Sequence, residues 1–309
     1  MCGHRLSVSS IWHWPRALPT AAVFAMLGLV AAACAGRQSC RPPQPERVAA
    51  EERFANSVGI QLQLIQPGTF TAGVGTPPFP LRKASIGSAF YIGIHEVTNR
   101  QYEQFFARHT SHLKEIGVND RYLAPDHPAV FVSWNDADSF CQWLSMLEGR
   151  RYRLPTTDEW EYCAQAGRSC RYPWGNDWPP SPRLVNLRHA PLDYEGPDLD
   201  GYEFTSPVGS FPPNPWGLFD MDGNVAEHCQ NAAILPGLFS RPYRVSNEHF
   251  RLSYKHGRIS IGPCFRESTE ELGSYGTDRF ACGFWSVGGD PLEGNGSVGF
   301  RIVLERAGQ

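Results

Sequence analysis

The chain has 309 residues, which suffices for one large domain or two small ones. Its net charge of -3, without any run of Lys or Arg, excludes the charge pattern of a nucleic-acid-binding protein. Aromatic residues make up 12% of the chain, which excludes a disordered chain, and 30 glycines with 26 prolines indicate a compact fold rich in ordered irregular structure.

Residues 1–33 are typical of a signal peptide. Arg5 and Arg16 precede the apolar run 17–33. This run is short for a membrane span and has the length expected of the hydrophobic part of a secretory signal. The run ends in Ala31-Ala32-Ala33-Cys34, which is similar to the lipobox of bacterial lipoproteins. We therefore expect a lipidated Cys34 that anchors the mature chain to a membrane of the bacterial cell envelope.

Cleavage without lipidation, after Ala33 or Ala35, is an alternative that would give a secreted protein. An uncleaved anchor helix is disfavoured because the apolar run is short. Residues 34–56 are polar and contain prolines, which predicts a flexible tether. Residues 57–309 have no internal repeat and no break in composition, so we expect one domain.

The start of this domain predicts short strands. Residues 61–75 alternate apolar and polar side chains and turn at Pro67-Gly68, which indicates a strand, a turn and a second strand. Residues 90–98 indicate a strand that runs into a helix.

Three capping-box patterns predict where three helices begin. The pairs are Thr98 with Gln101, Ser133 with Asp136, and Thr156 with Glu159. Tyr102, Phe105 and Phe106 are expected to form the apolar side of the first helix. Gly167 is expected to end the third helix.

Six of the nine cysteines lie in the predicted domain: Cys141, Cys163, Cys170, Cys229, Cys264 and Cys282. An even number in an exported domain predicts disulfides, and the sequence does not choose among the possible pairings. Cys163 and Cys170 are near enough in sequence to bridge a short loop after a helix. The chain has no CxxC pair, which argues against a structural zinc site.

Residues 207–229 combine a rigid backbone with oxygen donors. Prolines and glycines restrict or turn the chain here, and Asp220, Asp222, Asn224 and Glu227 carry hard oxygen ligands of the kind that calcium takes. The spacing differs from that of an EF-hand, because Gly223 follows Asp220 too early. Chemistry alone leaves two readings open, a calcium loop and a surface turn with solvated acids.

The same segment, PVGSFPPNPWGLFDMDGNVAEHC, resembles the signature PVGSFPPNxxGLYDMxGNVWEW of the formylglycine-generating enzyme (sulfatase-modifying factor) family. Ala226 and His228 stand where the family usually has tryptophan. Further segments resemble the family at 96–105, 128–144, 151–162 and 298–303, so that the resemblance covers almost all of residues 60–303. It implies the α+β, C-type-lectin-like fold of this family, which is low in regular secondary structure.

The resemblance also implies two structural calcium sites. The side-chain ligands of the first would be Asn186 and Asp200, with carbonyls from Leu187 and Tyr202. Those of the second would be Asp220 and Glu227, with carbonyls from Gly223 and Val225. All four side chains are oxygen donors, so both ligand sets are complete in this chain.

The oxidases of the family bind Cu(I) through two cysteines spaced C-x4-C, and this chain has no such pair anywhere. The corresponding positions fall near Glu267 and Leu272. The motifs GxSxG, HExxH and GxxxxGK[ST] are absent as well, so no other catalytic class is indicated.

Two functions follow from this comparison. The first is a non-catalytic binding or accessory module that recognises an envelope protein or an extracellular ligand, with residues 234–275 as its binding surface and no copper. The second is a formylglycine-generating oxidase with a diverged site, which converts a sulfatase cysteine to formylglycine.

Overall fold

A computed structural model describes residues 52–73, 81–168, 172, 174–190, 198–232, 258–267, 269, 285–287 and 294–306. The predicted signal peptide and most of the predicted tether lie outside these residues. No helix within the described ranges is both long and apolar enough to cross a bilayer.

The described strands are β1 (Arg53–Ala55), β2 (Gln61–Ile65), β3 (Gly68–Ala72), β4 (Arg82–Ile86), β5 (Phe90–Gly93), β6 (Tyr152–Arg153), β7 (Ala226–Ala232), β8 (Arg258–Ile261), β9 (Trp285–Val287), β10 (Val298–Gly299) and β11 (Val303–Glu305). The α-helices are α1 (Asn99–Tyr102), α2 (His109–Glu115), α3 (Trp134–Glu148) and α4 (Thr157–Gln165). Short strands, short helices and long ordered loops alternate, as the α+β expectation requires.

The main sheet has five strands in the order β1-β2-β5-β11-β6, and all its neighbouring strands are antiparallel. β1 lies within the segment predicted as the tether, where Phe54 pairs with Leu62 of β2. β11, the last strand of the chain, lies between β5 and β6. The sheet is therefore completed only by residues from both ends of the domain.

Both faces of this sheet are covered. Ile302 and Leu304 pack on one face with Phe140 and Leu144 of α3, while Val303 packs on the other face in a cluster that contains Trp160 of α4. Alternate residues of a strand point to opposite faces, so one strand can serve two apolar clusters. The sheet thus fixes both helices relative to each other.

A second, four-stranded sheet has the order β10-β7-β8-β9, and β10 runs parallel to β7. β3 pairs only with β4 in a separate two-stranded sheet. The strand–turn–strand prediction for residues 61–75 is confirmed at Gln61–Ile65 and Gly68–Ala72. These two strands do not pair with each other; they belong to different sheets.

The three predicted capping boxes are present in full. In each one the N-cap hydroxyl accepts a hydrogen bond from the backbone N–H of the third helical residue. The side chain of that third residue in turn accepts a hydrogen bond from the backbone N–H of the N-cap residue. α4 ends at Gln165, and Ala166 with Gly167 take left-handed conformations. The predicted end at Gly167 is therefore correct to within two residues.

The first predicted helix differs from expectation. α1 has only four residues, so Phe105 and Phe106 lie beyond it. Tyr102 is 3% exposed and packs in the core, whereas Phe106 is 45% exposed. The apolar spacing in the sequence continues beyond Tyr102, whereas the helix ends at that residue. Phe106 therefore does not belong to a buried helical face.

The expected disulfides are not found among the described cysteines. Cys141, Cys163, Cys229 and Cys264 are buried free thiols. Cys163 packs among apolar side chains beneath the sheet. Cys170 and Cys282 themselves lie outside the described residues. The described thiols behave as small apolar core residues.

Candidate metal centres

The first predicted site lies where the loop of Asn186 meets the loop of Asp200. Asn186 is 1% exposed, and its Nδ2 donates hydrogen bonds to the Phe204 carbonyl (3.0 Å) and to Oδ1 of Asn224 (3.3 Å). These two hydrogen bonds fix the orientation of the Asn186 amide and leave its Oδ1 free to accept. Within the described residues that buried Oδ1 has no hydrogen-bond partner.

Asp200 shows the same incomplete pairing. Its Oδ1 accepts a hydrogen bond from the Tyr202 N–H at 2.8 Å, and its buried Oδ2 has no partner in the described part of the chain. Burial raises the pKa of Asp200 to about 7; the hydrogen bond from the Tyr202 N–H opposes this rise, and the charge of Asp198 adds to it. The Leu187 backbone is near enough to Asp200 to affect its pKa, so the two loops of the predicted first site lie side by side.

Neighbouring Asp198 has a different role. Its carboxylate accepts hydrogen bonds from the backbone N–H of His189 (3.0 Å) and of Leu199 (2.6 Å). The Asp198 carboxylate thus connects two parts of its own loop, and its hydrogen bonds come from the protein. Asp198 and Asp200 are thus distinguished by their partners, although the sequence presents them as two similar loop acids.

The second predicted site is built on a tight turn in residues 220–224. Asp220 and Asn224 both adopt left-handed backbone conformations, with φ of 58° and 64°. A side chain at Gly223 would lie 2.5 Å from Cγ2 of Val185 and 2.7 Å from the Asn186 carbonyl. Glycine is required there because the turn packs directly on the loop that carries the first site.

Asn224 joins the two sites, and the sequence comparison did not identify it. Its backbone N–H donates to the Asn186 carbonyl (3.0 Å), its Oδ1 accepts from the Ser206 N–H (2.9 Å), and its Nδ2 donates to Oε1 of Glu96 (3.2 Å). The residue is fully buried. The sequence marked Asn224 only as one of four oxygen donors in residues 207–229.

Glu227, a predicted ligand of the second site, is paired with Arg301. Two Arg301 nitrogens lie 2.6 Å from the two Glu227 oxygens, and Trp160 Nε1 donates to Oε2 at 2.9 Å. Both charged residues are 0% exposed. Arg301 also donates to the Gly93 and Phe219 carbonyls. Sequence analysis missed this pair, although a lone arginine in the apolar closing segment 298–303 could have indicated it.

The donor set fits calcium at the first site. Two buried oxygens, of Asn186 and Asp200, lack hydrogen-bond partners there within the described residues, and oxygens of this kind are ligands that calcium takes. Among the residues that the structure describes, no three His, Cys, Asp or Glu side chains converge as a metal-binding group. A cation at the first site would therefore need amide and carbonyl oxygens among its ligands, and hard cations readily bind such oxygens.

A family model, the sulfatase-modifying factor enzyme 1-like domain, matches residues 50–305. The chain belongs to the sulfatase-modifying factor family. The formylglycine-generating enzyme of Bos taurus is 30% identical over 215 residues, which are 53% of this chain and 55% of that protein. The chain thus spans about half the length of that relative.

Two further relatives extend the comparison. The inactive C-alpha-formylglycine-generating enzyme 2 of Bos taurus is 42% identical over 104 residues, which are 33% of this chain and 32% of that protein. The solved structure of PvdO from Pseudomonas aeruginosa has 25% sequence identity and a TM-score of 0.58, and covers 86% of this chain and 99% of PvdO. The fold expected from the resemblance is therefore confirmed.

In this member of the sulfatase-modifying factor family, the region aligned with the copper position holds one described cysteine. Cys264 is 8% exposed, and burial raises the pKa of its thiol to about 11. Its backbone N–H donates to Oε2 of Glu267 at 3.1 Å, so a carboxylate stands near the aligned position of a copper cysteine. Leu272, aligned with the other, lies outside the described residues.

The two departures from the family signature are both buried. Ala226 is 5% exposed and His228 is 7% exposed. His228 Nε2 donates to the Val132 carbonyl (3.1 Å), and Nδ1 accepts from the Ser260 hydroxyl (3.2 Å). Burial lowers the pKa of His228 to about 4, so the ring is neutral at pH 7. Here His228 is a hydrogen-bonded core residue.

Proposed function

We propose that this chain is a non-catalytic binding or accessory domain of the sulfatase-modifying factor family, held at the bacterial cell envelope by a lipidated Cys34. The observation that carries the proposal is in the sequence. No two of the nine cysteines have the C-x4-C spacing with which the family's oxidases bind Cu(I). Without that pair the soft-ligand copper centre is not formed.

The state of the described thiols supports the same conclusion. Burial raises the pKa of Cys163 and of Cys229 well above the usual thiol value, and it also raises the pKa of Cys141. The thiolate is the form that binds metal and reacts, and these thiols stay protonated at neutral pH. They are suited to packing rather than to redox chemistry.

The relatives show that the scaffold and the activity are separable. One curated relative with 42% identity over 104 residues is named an inactive C-alpha-formylglycine-generating enzyme. Others, named formylglycine-generating enzymes, favour the alternative function, an oxidase that acts on a sulfatase cysteine with a diverged site. The missing cysteine pair favours the inactive class for this chain.

Calcium has a structural role in this proposal. The first site would use Asn186, Leu187, Asp200 and Tyr202, and the second would use Asp220, Gly223, Val225 and Glu227. A cation there would join loops that have little regular secondary structure of their own, and its binding would add to stability. The binding surface would lie in residues 234–275, of which the structure describes only 258–267 and 269.

Two assays on the full chain separate the functions. We expect no tight Cu(I) binding in a competitive titration and no aldehyde formation on a sulfatase-derived cysteine peptide, measured by mass spectrometry. A known formylglycine-generating enzyme serves as the positive control, and a Cys264→Ser variant tests the described thiol at the aligned position. Tight copper binding together with peptide turnover would overturn the non-catalytic assignment.

A further inference from the structure

Glu96 is a buried acid that no ligand set discussed above includes. It follows β5 in the segment that leads into α1, and it is 1% exposed. Its Oε1 accepts a hydrogen bond from Asn224 Nδ2 at 3.2 Å, whereas its buried Oε2 has no hydrogen-bond partner in the described part of the chain. A buried carboxylate with one unsatisfied oxygen is costly unless something else binds it.

The neighbour of Glu96 is Asp220 of the signature turn. The Phe219 N–H donates to the Ile94 carbonyl at 2.9 Å, which places the two segments side by side. Burial, and then the charge of nearby Asp220, raise the pKa of Glu96, so the two acids are neighbours. The protein donates to Asp220 through the Gly209 N–H, at 2.7 Å from Oδ2. The two neighbouring carboxylates therefore accept few hydrogen bonds from the protein.

The charges around these acids do not balance. Glu96, Asp220 and Glu227 contribute three carboxylates to this region, and Arg301 contributes one guanidinium. Arg301 makes its two shortest contacts, both 2.6 Å, with Glu227. After that pair is neutralised, Glu96 and Asp220 remain as an excess of two negative charges when ionised. A divalent cation carries the charge that would neutralise them, and hard oxygens are its usual ligands.

We propose that Glu96 is a ligand of the second cation site and binds a divalent cation together with Asp220, while Glu227 remains paired with Arg301. The inference rests on the proposed calcium role of this turn and changes its ligand set. Backbone carbonyls of Gly223 and Val225 can complete such a site. The cation would connect the segment after β5 to the signature turn, so it would link the main sheet to the loops of both sites.

Calcium titration of the full chain in detergent, followed by calorimetry, tests the ligand set. We expect two sites in the unmodified protein and at least a tenfold loss of affinity at one of them in Glu96→Gln, since a ligand charge is removed. Glu161→Gln is the matched control, because Glu161 is 0% exposed and also has an unpartnered oxygen, yet lies in α4. Its affinities should equal those of the unmodified protein.

Melting in excess chelator separates a ligand role from a general packing role. Glu96→Gln should melt no lower than the unmodified protein without calcium, because a buried carboxylate has become neutral. Glu227→Gln should melt lower, because Arg301 loses its charged partner. Asp220→Asn should weaken the same calcium site as Glu96→Gln, and Asp200→Asn should weaken the other.

Two negative results have different meanings. If the unmodified protein binds calcium at two sites and Glu96→Gln binds it with unchanged affinities, the ligand role of Glu96 is wrong and the calcium proposal stands. If the unmodified protein binds no calcium, both proposals are wrong.

Discussion

At the scale of single residues, Arg301 and Glu227 form an ion pair in which both side chains are 0% exposed. Both side chains are fully buried, and the guanidinium also binds carbonyls at Gly93 and Phe219. A bidentate pair of this kind is specific in geometry as well as in charge. It connects the closing segment of the chain to the end of the signature.

Arg301→Met should destabilise the protein by about 3–5 kcal/mol, because it leaves the Glu227 carboxylate buried without its counterion. Urea unfolding followed by far-UV circular dichroism measures the change. The double variant Arg301→Met/Glu227→Gln should lose less than the sum of the two single variants, since the second change removes the unpaired charge. Additive losses would show that the two residues act independently.

Residue chemistry was only partly predictable from the sequence. Asn186, Asp200 and Asp220 could be identified as oxygen donors from the signature and its relatives. Glu96 and Arg301 could not be identified, and Asn224 was recognised as an oxygen donor but not as the link between the two sites, because each acts across a long sequence separation through a contact that forms only in the fold. Asn224 Nδ2 and Glu96, for example, are 128 positions apart.

At the scale of elements, the helix boundaries follow from local rules. A hydroxyl at the N-cap and an acid or amide three residues later are sufficient to fix three helix starts in this chain. Strand pairing does not follow from such rules. β2 and β3 are consecutive in sequence but belong to separate sheets, since their partners β5 and β4 come from later in the chain.

The end of α3 offers a test of these local rules. Gly149 caps the helix with φ of 65°, and its N–H donates to the Ser145 carbonyl at 2.9 Å. Gly149→Ala should lower the free energy of unfolding by about 1 kcal/mol, because a Cβ is strained in the left-handed conformation. Gly87→Ala is the control, since Gly87 has open space around its Cβ position and no positive φ. Equal effects of the two changes in urea unfolding would contradict this explanation.

At the scale of the whole molecule, the family resemblance predicted the fold, whereas the disulfides expected from general reasoning about compartments are not found among the described cysteines. Even numbers of cysteines in exported chains usually pair, yet the four described thiols are free and buried. Their burial in apolar clusters explains the difference, since a small apolar side chain suits those positions. The proposed cations, rather than the described cysteines, would hold the loops of the two sites in place.

Chelation should therefore lower the melting temperature of the unmodified protein. Binding at a hundredfold excess over Kd contributes about 2.7 kcal/mol per site, which corresponds to a shift of about 5–10 °C for a domain of this size. Calorimetric scans with calcium and with chelator measure the shift. It should be smaller in Asp200→Asn and unchanged in Glu115→Gln, an exposed acid in α2. A melting temperature that does not respond to chelation would contradict the calcium role.

The position of β11 has a consequence for biogenesis. This strand lies inside the main sheet, where Val303 pairs with Ile92 on one side and Arg153 on the other. β5 and β6 therefore have no common neighbour in the main sheet until residues 303–305 are available. A polypeptide that emerges N-terminus first cannot close this sheet before those residues have emerged, so the order of synthesis delays the closure of the main sheet until β11 is made.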